Sequence, residues 1–171
     1  MGRTTVAAAT VARGRIFAMM DADGDGIISA HDYLSRVDRA VWATGRSEDD
    51  PLVVAARAQA HKAWGAMDAN GDGKLTFEEY DAWVGADKFD NVCRFALGAL
   101  FDLADADGDG ALDQTAFTLL RTALNNAPDS AAAAFHALDA DGDGRVGRDE
   151  YLASIRSYVI GAPSPMGEAL Y

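Results

Sequence analysis

Apolar residues recur at spacings of three and four on both sides of four short acidic segments. Around the second segment, Trp64 and Met67 come before it, and Tyr80, Trp83 and Val84 come after it. This spacing places the apolar side chains on one face of a helix, where packing in a core is their expected role. The pattern therefore predicts four helix–loop–helix units and an all-α fold.

The four acidic segments are copies of one 12-residue repeat. They read DADGDGIISAHD (21–32), DANGDGKLTFEE (68–79), DADGDGALDQTA (105–116) and DADGDGRVGRDE (139–150), and are called loops 1 to 4. Glycine occupies position 6 each time, where a sharp turn needs a backbone that glycine adopts readily. Position 8 is apolar in every loop, which predicts short β-type pairing of loop 1 with loop 2 and of loop 3 with loop 4.

Oxygen-bearing side chains stand at positions 1, 3 and 5 of each loop, as a calcium loop requires. Calcium takes about six to eight oxygen ligands, which a 12-residue loop supplies from positions 1, 3, 5, 7, 9 and 12. Position 7 acts through its backbone carbonyl, and position 9 acts through water. The predicted ligands are Asp21, Asp23, Asp25, Ile27 and Asp32 in loop 1; Asp68, Asn70, Asp72, Lys74 and Glu79 in loop 2; and Asp139, Asp141, Asp143, Arg145 and Glu150 in loop 4, with Ser29 and Thr76 acting through water.

Loops 1 and 3 differ from the other two at position 12. Asp32 is one methylene shorter than glutamate, so it offers fewer ligand atoms and favours Mg²⁺, which prefers six ligands. Ala116 offers no oxygen at all in loop 3. We therefore expect three Ca²⁺ sites, with Mg²⁺ tolerated in loop 1, and a doubtful, weak site in loop 3 formed by Asp105, Asp107, Asp109, Ala111 and Asp113.

The loop residues resemble those of the EF-hand superfamily. Loop starts are separated by 47, 37 and 34 residues, and the long first connector resembles the sarcoplasmic calcium-binding proteins and their bacterial relative calerythrin. This resemblance implies a compact molecule in which three of four hands bind calcium. In calerythrin the silent hand is the second, whereas here loop 2 has every ligand and loop 3 lacks the last one.

The repeat predicts two structural halves within one compact unit. Residues 1–90 contain loops 1 and 2, and residues 91–171 contain loops 3 and 4. The last stretch, 161–171, is rich in proline and glycine, so we predict an irregular tail there.

Charge and cysteine content restrict the partners and the compartment. The formal net charge is −12, and 17 of the 27 acidic residues lie in the four loops. Such a surface repels nucleic acid and anionic membranes and attracts cations. Cys93 is the single cysteine and cannot form an internal disulfide, and no signal peptide or membrane span is apparent. We expect a cytoplasmic monomer whose partners are calcium ions, with no protein partner identifiable.

The sequence bears on three functions, which are calcium buffering, calcium sensing and catalysis. A calcium buffer or store is the main hypothesis, because the chain lacks the methionine-rich faces of many sensors. The alternative is a sensor, in which Trp42, Trp83 and the tail line a groove that opens with calcium. Catalysis is not expected, because His31, His61 and His136 have no recognisable nucleophile or zinc motif beside them.

Overall fold

The computed structural model describes residues 2–171, with side chains from residue 5 onward. Residue 1, which the sequence assigns to the first half, lies outside the described residues. The first half contains, in order, α1 (Gly2–Met20), β1 (Ile27–Ser29), α2 (Ala30–Thr44), α3 (Pro51–Met67), β2 (Lys74–Thr76) and α4 (Phe77–Trp83).

The second half continues the same alternation of helices and short strands. It contains α5 (Ala86–Lys88), a π-helical turn (Phe89–Cys93), α6 (Arg94–Ala104), β3 (Ala111–Leu112), α7 (Gln114–Ala123), α8 (Pro128–Leu138), β4 (Val146–Gly147), α9 (Arg148–Val159) and α10 (Pro165–Leu170). The predicted all-α class with four helix–loop–helix units is confirmed. None of the described helices is both long enough and apolar enough to cross a membrane.

The loops pair as predicted, through position 8. Strands β1 and β2 are antiparallel with Ile28 opposite Leu75, and β3 and β4 are antiparallel with Leu112 opposite Val146. All four side chains are fully buried. Burial of these apolar residues under the loops stabilises each pair by removing apolar surface from water.

Buried residues from all four units form one continuous apolar core. Arginines of the first half also reach carbonyls of the second half. The Nε atom of Arg39 donates to the Ala123 carbonyl at 2.8 Å, and that of Arg46 donates to the Leu103 carbonyl at 2.7 Å. On α1, Arg13 donates to the Val159 carbonyl at 3.1 Å. The two pairs are thus joined both by apolar packing and by hydrogen bonds at helix ends.

The predicted division near residue 90 falls within a helical stretch. Asp90 lies in the π-helical turn, which follows α5 directly and continues into α6. Its carboxylate accepts two hydrogen bonds from Arg156 of α9, at 2.8 and 2.9 Å. A division of the chain into two units at this point stays a prediction.

The prediction of an irregular tail over 161–171 is wrong, because residues 165–170 form α10. Pro165 takes the first helical position, where a missing N–H costs nothing, and the Ser164 hydroxyl accepts the Gly167 N–H at 3.1 Å. Met166 and Leu170 are buried. The proline and glycine content that predicted irregular structure instead serves the helix. The proline begins it, and the glycine allows it to pack closely.

Arg121 anchors this C-terminal helix from inside the core. Its guanidinium is fully buried and donates to the hydroxyls of Tyr151 at 2.7 Å and Tyr171 at 3.1 Å. It also donates to Asn126 Oδ1 at 2.9 Å, and Asn126 in turn donates to the Leu170 carbonyl at 2.6 Å. The end of the chain is therefore held by a polar network that sequence patterns do not reveal.

Candidate metal centres

Each loop is shaped by backbone N–H groups that donate to its own carboxylates. In loop 1, Asp21 accepts the Gly24 N–H at 3.1 Å with Oδ1 and the Gly26 N–H at 2.8 Å with Oδ2. Asp23 and Asp25 each accept an N–H from the residue two positions further on. Loops 2 to 4 repeat these turns at positions 3 and 5, so the spacing of the acids also dictates the fold of the loop.

The acids of loops 1, 3 and 4 converge. One oxygen each from Asp21, Asp23 and Asp25 lie within 4.8 Å of one another, and the same holds at positions 1, 3 and 5 of loops 3 and 4. Desolvation raises the pKa of Asp139, and the carboxylates of Asp141 and Asp143 raise it further. The structure thus brings the predicted ligands together, but it does so equally in the doubtful loop 3.

The first carboxylate of loops 2 and 4 differs from that of loops 1 and 3. Asp68 Oδ1 and Asp139 Oδ1 are buried and have no hydrogen-bond partner among the described residues. In loop 3, by contrast, Asp105 Oδ1 accepts the Gly108 N–H at 3.1 Å, as Asp21 does in loop 1. A buried anionic oxygen without a donor is costly, and a hard cation that binds oxygen would satisfy it. The residues of loops 2 and 4 therefore fit calcium.

Position 12 of loops 1 and 2 belongs to a capping box at the start of the following helix, and loop 4 keeps the half of it that a glycine N-cap allows. Asp32 Oδ2 accepts both the backbone N–H and the hydroxyl of Ser29, each at 2.8 Å. Glu79 Oε2 accepts the same two groups of Thr76, at 2.9 and 3.1 Å, and Glu150 Oε2 accepts the Gly147 N–H at 3.2 Å. One carboxylate thus both begins a helix and stands at the edge of the loop.

Glu79 also reaches across its loop. Its Oε1 atom accepts a hydrogen bond from the Asn70 side-chain amide at 3.1 Å, which links position 12 to position 3. This contact shows that the glutamate side chain is long enough to face the other predicted ligands of loop 2. The water-mediated roles predicted for Ser29 and Thr76 stay predictions, because both hydroxyls contact the position-12 carboxylate here.

Loop 3 differs from the other three loops at positions 9 and 12. Asp113 Oδ1 accepts the Ala116 N–H at 2.8 Å and caps α7, so this oxygen serves the helix. Arg145 of loop 4 forms a short ion pair with Asp109 and donates to the Ala111 carbonyl at 3.2 Å. A guanidinium therefore contacts two of the five oxygen donors predicted for loop 3.

The sequence prediction used Arg145 only for its backbone carbonyl and missed this contact. A basic residue at position 7 next to a loop without a position-12 acid is the signal that could have indicated it. The histidines and tryptophans add no further site: His31, His61 and His136 are exposed, and Trp42 and Trp83 line separate clefts. Trp42 and Trp83 therefore lie apart in this structure, and the groove predicted to open with calcium stays a prediction.

Comparison with known proteins identifies the family. The family described as "EF-hand domain pair" matches residues 94–156, and that described as "EF hand" matches residues 15–35 and 65–83. "Probable calcium-binding protein CML16" of Oryza sativa subsp. japonica is 30% identical over 150 residues, covering 86% of this chain and 79% of the relative. The chain belongs to the EF-hand family. It is a calcium-binding EF-hand protein.

Two bacterial relatives support the resemblance to calerythrin. Calerythrin of Saccharopolyspora erythraea is 26% identical over 161 residues, covering 85% of this EF-hand chain and 88% of the relative. A solved structure of a Streptomyces coelicolor calcium-binding protein superposes with a TM-score of 0.74 at 29% identity, covering 91% of this chain and 99% of that one. The predicted resemblance to calerythrin is confirmed, and these relatives belong to a class that is generally non-enzymatic.

Proposed function

We propose that this EF-hand protein is a cytoplasmic calcium buffer that takes up and releases calcium at loops 1, 2 and 4. The observation that carries the proposal is the shared core, in which the two pairs bury their apolar faces against each other. Ile16 and Met20 of α1 and Tyr80 of α4 surround the same interior space as Ile155 and Val159 of α9. A surface already used for internal packing is not free to receive a partner.

The composition of this interface also favours a buffer. Sensors expose flexible, methionine-rich grooves when calcium binds. Here Met20, Met67 and Met166 are buried, and aromatic pairs stiffen the core. Phe17 packs edge-on against Phe77 with ring centroids 5.7 Å apart. Stiff, tightly packed side chains oppose the opening that a sensor needs.

A dye that binds exposed apolar surface tests the proposal directly. A buffer should bind no more dye with calcium than without it, whereas a severalfold rise on calcium addition would contradict the proposal. Cys93 provides an internal control, because burial raises the pKa of its thiol to about 12. A thiol reagent should therefore react slowly with the calcium-bound protein and faster if the core opens.

A sensor is the second candidate, and one surface favours it. Trp42 of α2 is 87% exposed, and Leu119 of α7, which lines the same cleft, is 41% exposed. The Streptomyces coelicolor relative is described as acting in prokaryotic calcium-mediated regulation. A calcium-dependent change in Trp42 fluorescence, followed in a variant that lacks the other two tryptophans, would support a sensor. An unchanged spectrum would support the buffer.

A further inference from the structure

A cavity of about 50 Å³ lies between the two pairs, inside the shared core. Its walls come from helices of both halves, the π-helical turn and the C-terminal residue. Most wall residues are apolar or phenolic, and Arg36 is the charged residue among them. The apolar and phenolic part of the wall includes Ile16, Met19, Tyr33, Tyr80, Val159 and Tyr171.

Arg36 is buried without a full set of hydrogen bonds. Only 6% of its surface is exposed, and its Nε atom is buried with no hydrogen-bond partner among the described residues. Nη1 contacts the Met20 sulfur at 3.6 Å, and the guanidinium carbon lies 5.3 Å from the centre of the Tyr33 ring. A thioether and an aromatic face are weak substitutes for an anion.

No described carboxylate lies within 4.0 Å of Arg36 or of the second buried arginine, Arg121. Arg121 donates only to neutral groups, among them the Tyr171 hydroxyl and the Met19 sulfur, and both of these residues line the cavity. Arg36 therefore lines the cavity, Arg121 lies behind the wall formed by Met19 and Tyr171, and neither guanidinium has a counter-charge among the described residues. The interior is positive although the whole chain is strongly acidic.

This positive charge cannot be removed by losing a proton, because arginine stays protonated in proteins. Its influence extends along α2 to Arg39. Desolvation lowers the pKa of Arg39, and the charge of Arg36 lowers it further. A buried charge without a partner destabilises the protein, so an anion that enters the cavity would relieve this penalty.

We propose that the cavity binds a carboxylate of the size of formate, held against the guanidinium of Arg36. The planar guanidinium matches a carboxylate better than a spherical halide. The volume limits the ligand, because it is about a third of the roughly 150 Å³ cavity that admits benzene. The inference is independent of the calcium sites and of the buffer proposal.

The experiment follows the arginine Nε–H groups by NMR in nitrogen-labelled, calcium-saturated protein during titration with sodium formate. The Arg36 resonance should shift and saturate with formate. Sodium chloride at equal ionic strength is the matched salt control and should leave this resonance in place. Octanoate, which is too large for the cavity, should also leave it in place.

Melting temperatures give a second readout. At tenfold excess over Kd, formate should raise the melting temperature by about 3–6 °C relative to chloride. Arg36→Met, which keeps the length of the side chain but removes the charge, should lose this rise. Arg39→Met removes an arginine one turn further along α2, outside the cavity, and should keep it.

Several results would overturn the proposal. An Arg36 resonance that formate does not move would show that the cavity takes no carboxylate, and this holds even if Arg36→Met fails to fold. An equal response to chloride would show that the site does not select carboxylates. A formate-dependent rise that persists in Arg36→Met would place the effect elsewhere on the protein.

Discussion

Loops 2 and 3 share aspartate at positions 1 and 5 and glycine at position 6. They differ in the charged side chain that contacts these loop residues, which is a carboxylate in loop 2 and a guanidinium in loop 3. In loop 2 the carboxylate of Glu79 contacts Asn70 across the loop, and Asp68 keeps a buried oxygen without a donor. In loop 3 position 12 is alanine, and the guanidinium of Arg145 contacts Asp109 instead. The same repeat thus supports one loop whose acids face no cation among the described residues and another loop in which one acid is paired with an arginine of the protein.

Convergence of acids does not by itself distinguish the loops predicted to bind calcium strongly from the loop predicted to bind it weakly. Loop 3 brings its three aspartates as close together as loop 4 does. The structural difference between loops 2 and 3 is the group that contacts those acids. Asp68 of loop 2 has a buried oxygen that a cation from solution would satisfy, whereas loop 3 receives part of its positive charge from Arg145.

Removal of calcium should lower the stability of the protein more than any of the substitutions that follow. A ligand that binds only the folded state at a thousandfold excess over Kd stabilises it by about 4 kcal/mol per site. Loss of three sites should lower the melting temperature by ~20 °C or more in a chain of this size. Melting curves recorded with calcium and with chelator test this, and superimposable curves would show that the loops do not contribute to stability.

Glu79→Gln should weaken loop 2 by about 100-fold in Kd, or roughly 2.7 kcal/mol, because it removes the charge and one ligand oxygen. Glutamine still serves a capping box, so the helix that follows should persist. Calorimetric titration measures the loss.

Glu78→Gln is the matched control, since it removes the same charge from an exposed neighbouring residue. It should leave the affinity nearly unchanged. Equal losses in the two variants would mean that net charge, rather than the closing carboxylate, determines affinity.

Loop 3 should gain calcium affinity in two steps. Ala116→Glu restores the missing carboxylate, and Arg145→Gln removes the guanidinium that contacts Asp109 and the Ala111 carbonyl. The double variant should bind calcium in loop 3 at least ~10-fold more tightly than Ala116→Glu alone, because like charges compete for the same oxygens. Calorimetry measures the extra site.

The loop 4 site is the internal control, since Arg145 is predicted to serve it through a backbone carbonyl that the substitution keeps. If Ala116→Glu alone gave the same affinity as the double variant, the proposed competition by Arg145 would be wrong.

The smallest expected effect is on the choice between calcium and magnesium at loop 1. Asp32→Glu lengthens the closing carboxylate and should reduce displacement of calcium by magnesium several-fold at that loop. Competition titrations with both metals measure the preference. Asp38→Glu makes the same change on the surface of α2 and should have no effect, and equal magnesium sensitivity with and without Asp32→Glu would refute the argument from side-chain length.

The sequence predicted those features that depend on local spacing. Loop boundaries, the four helix–loop–helix units and the pairing of Ile28 with Leu75 all follow from a 12-residue repeat and its apolar position 8. The convergence of acids in each loop follows from turns in which an N–H two residues on folds back to the carboxylate.

Features that depend on contacts between distant residues were not predicted. Arg121 holds Tyr171 from 50 residues away, which explains why a tail rich in proline and glycine forms a helix. Arg145 reaches 36 residues back to Asp109, and the burial of Arg36 results from helices of both halves packing around it. Such contacts depend on the packed structure, and no local pattern encodes them.

The most direct test of the account is a crystal structure of the protein grown in calcium, with anomalous scattering used to locate the ions. We expect ions in loops 1, 2 and 4, with Glu79 and Glu150 as ligands, and Arg145 still in contact with Asp109 of loop 3. An ion bound by Asp105, Asp107 and Asp109, with Arg145 displaced, would contradict the claim that Arg145 occupies loop 3 in place of a metal ion.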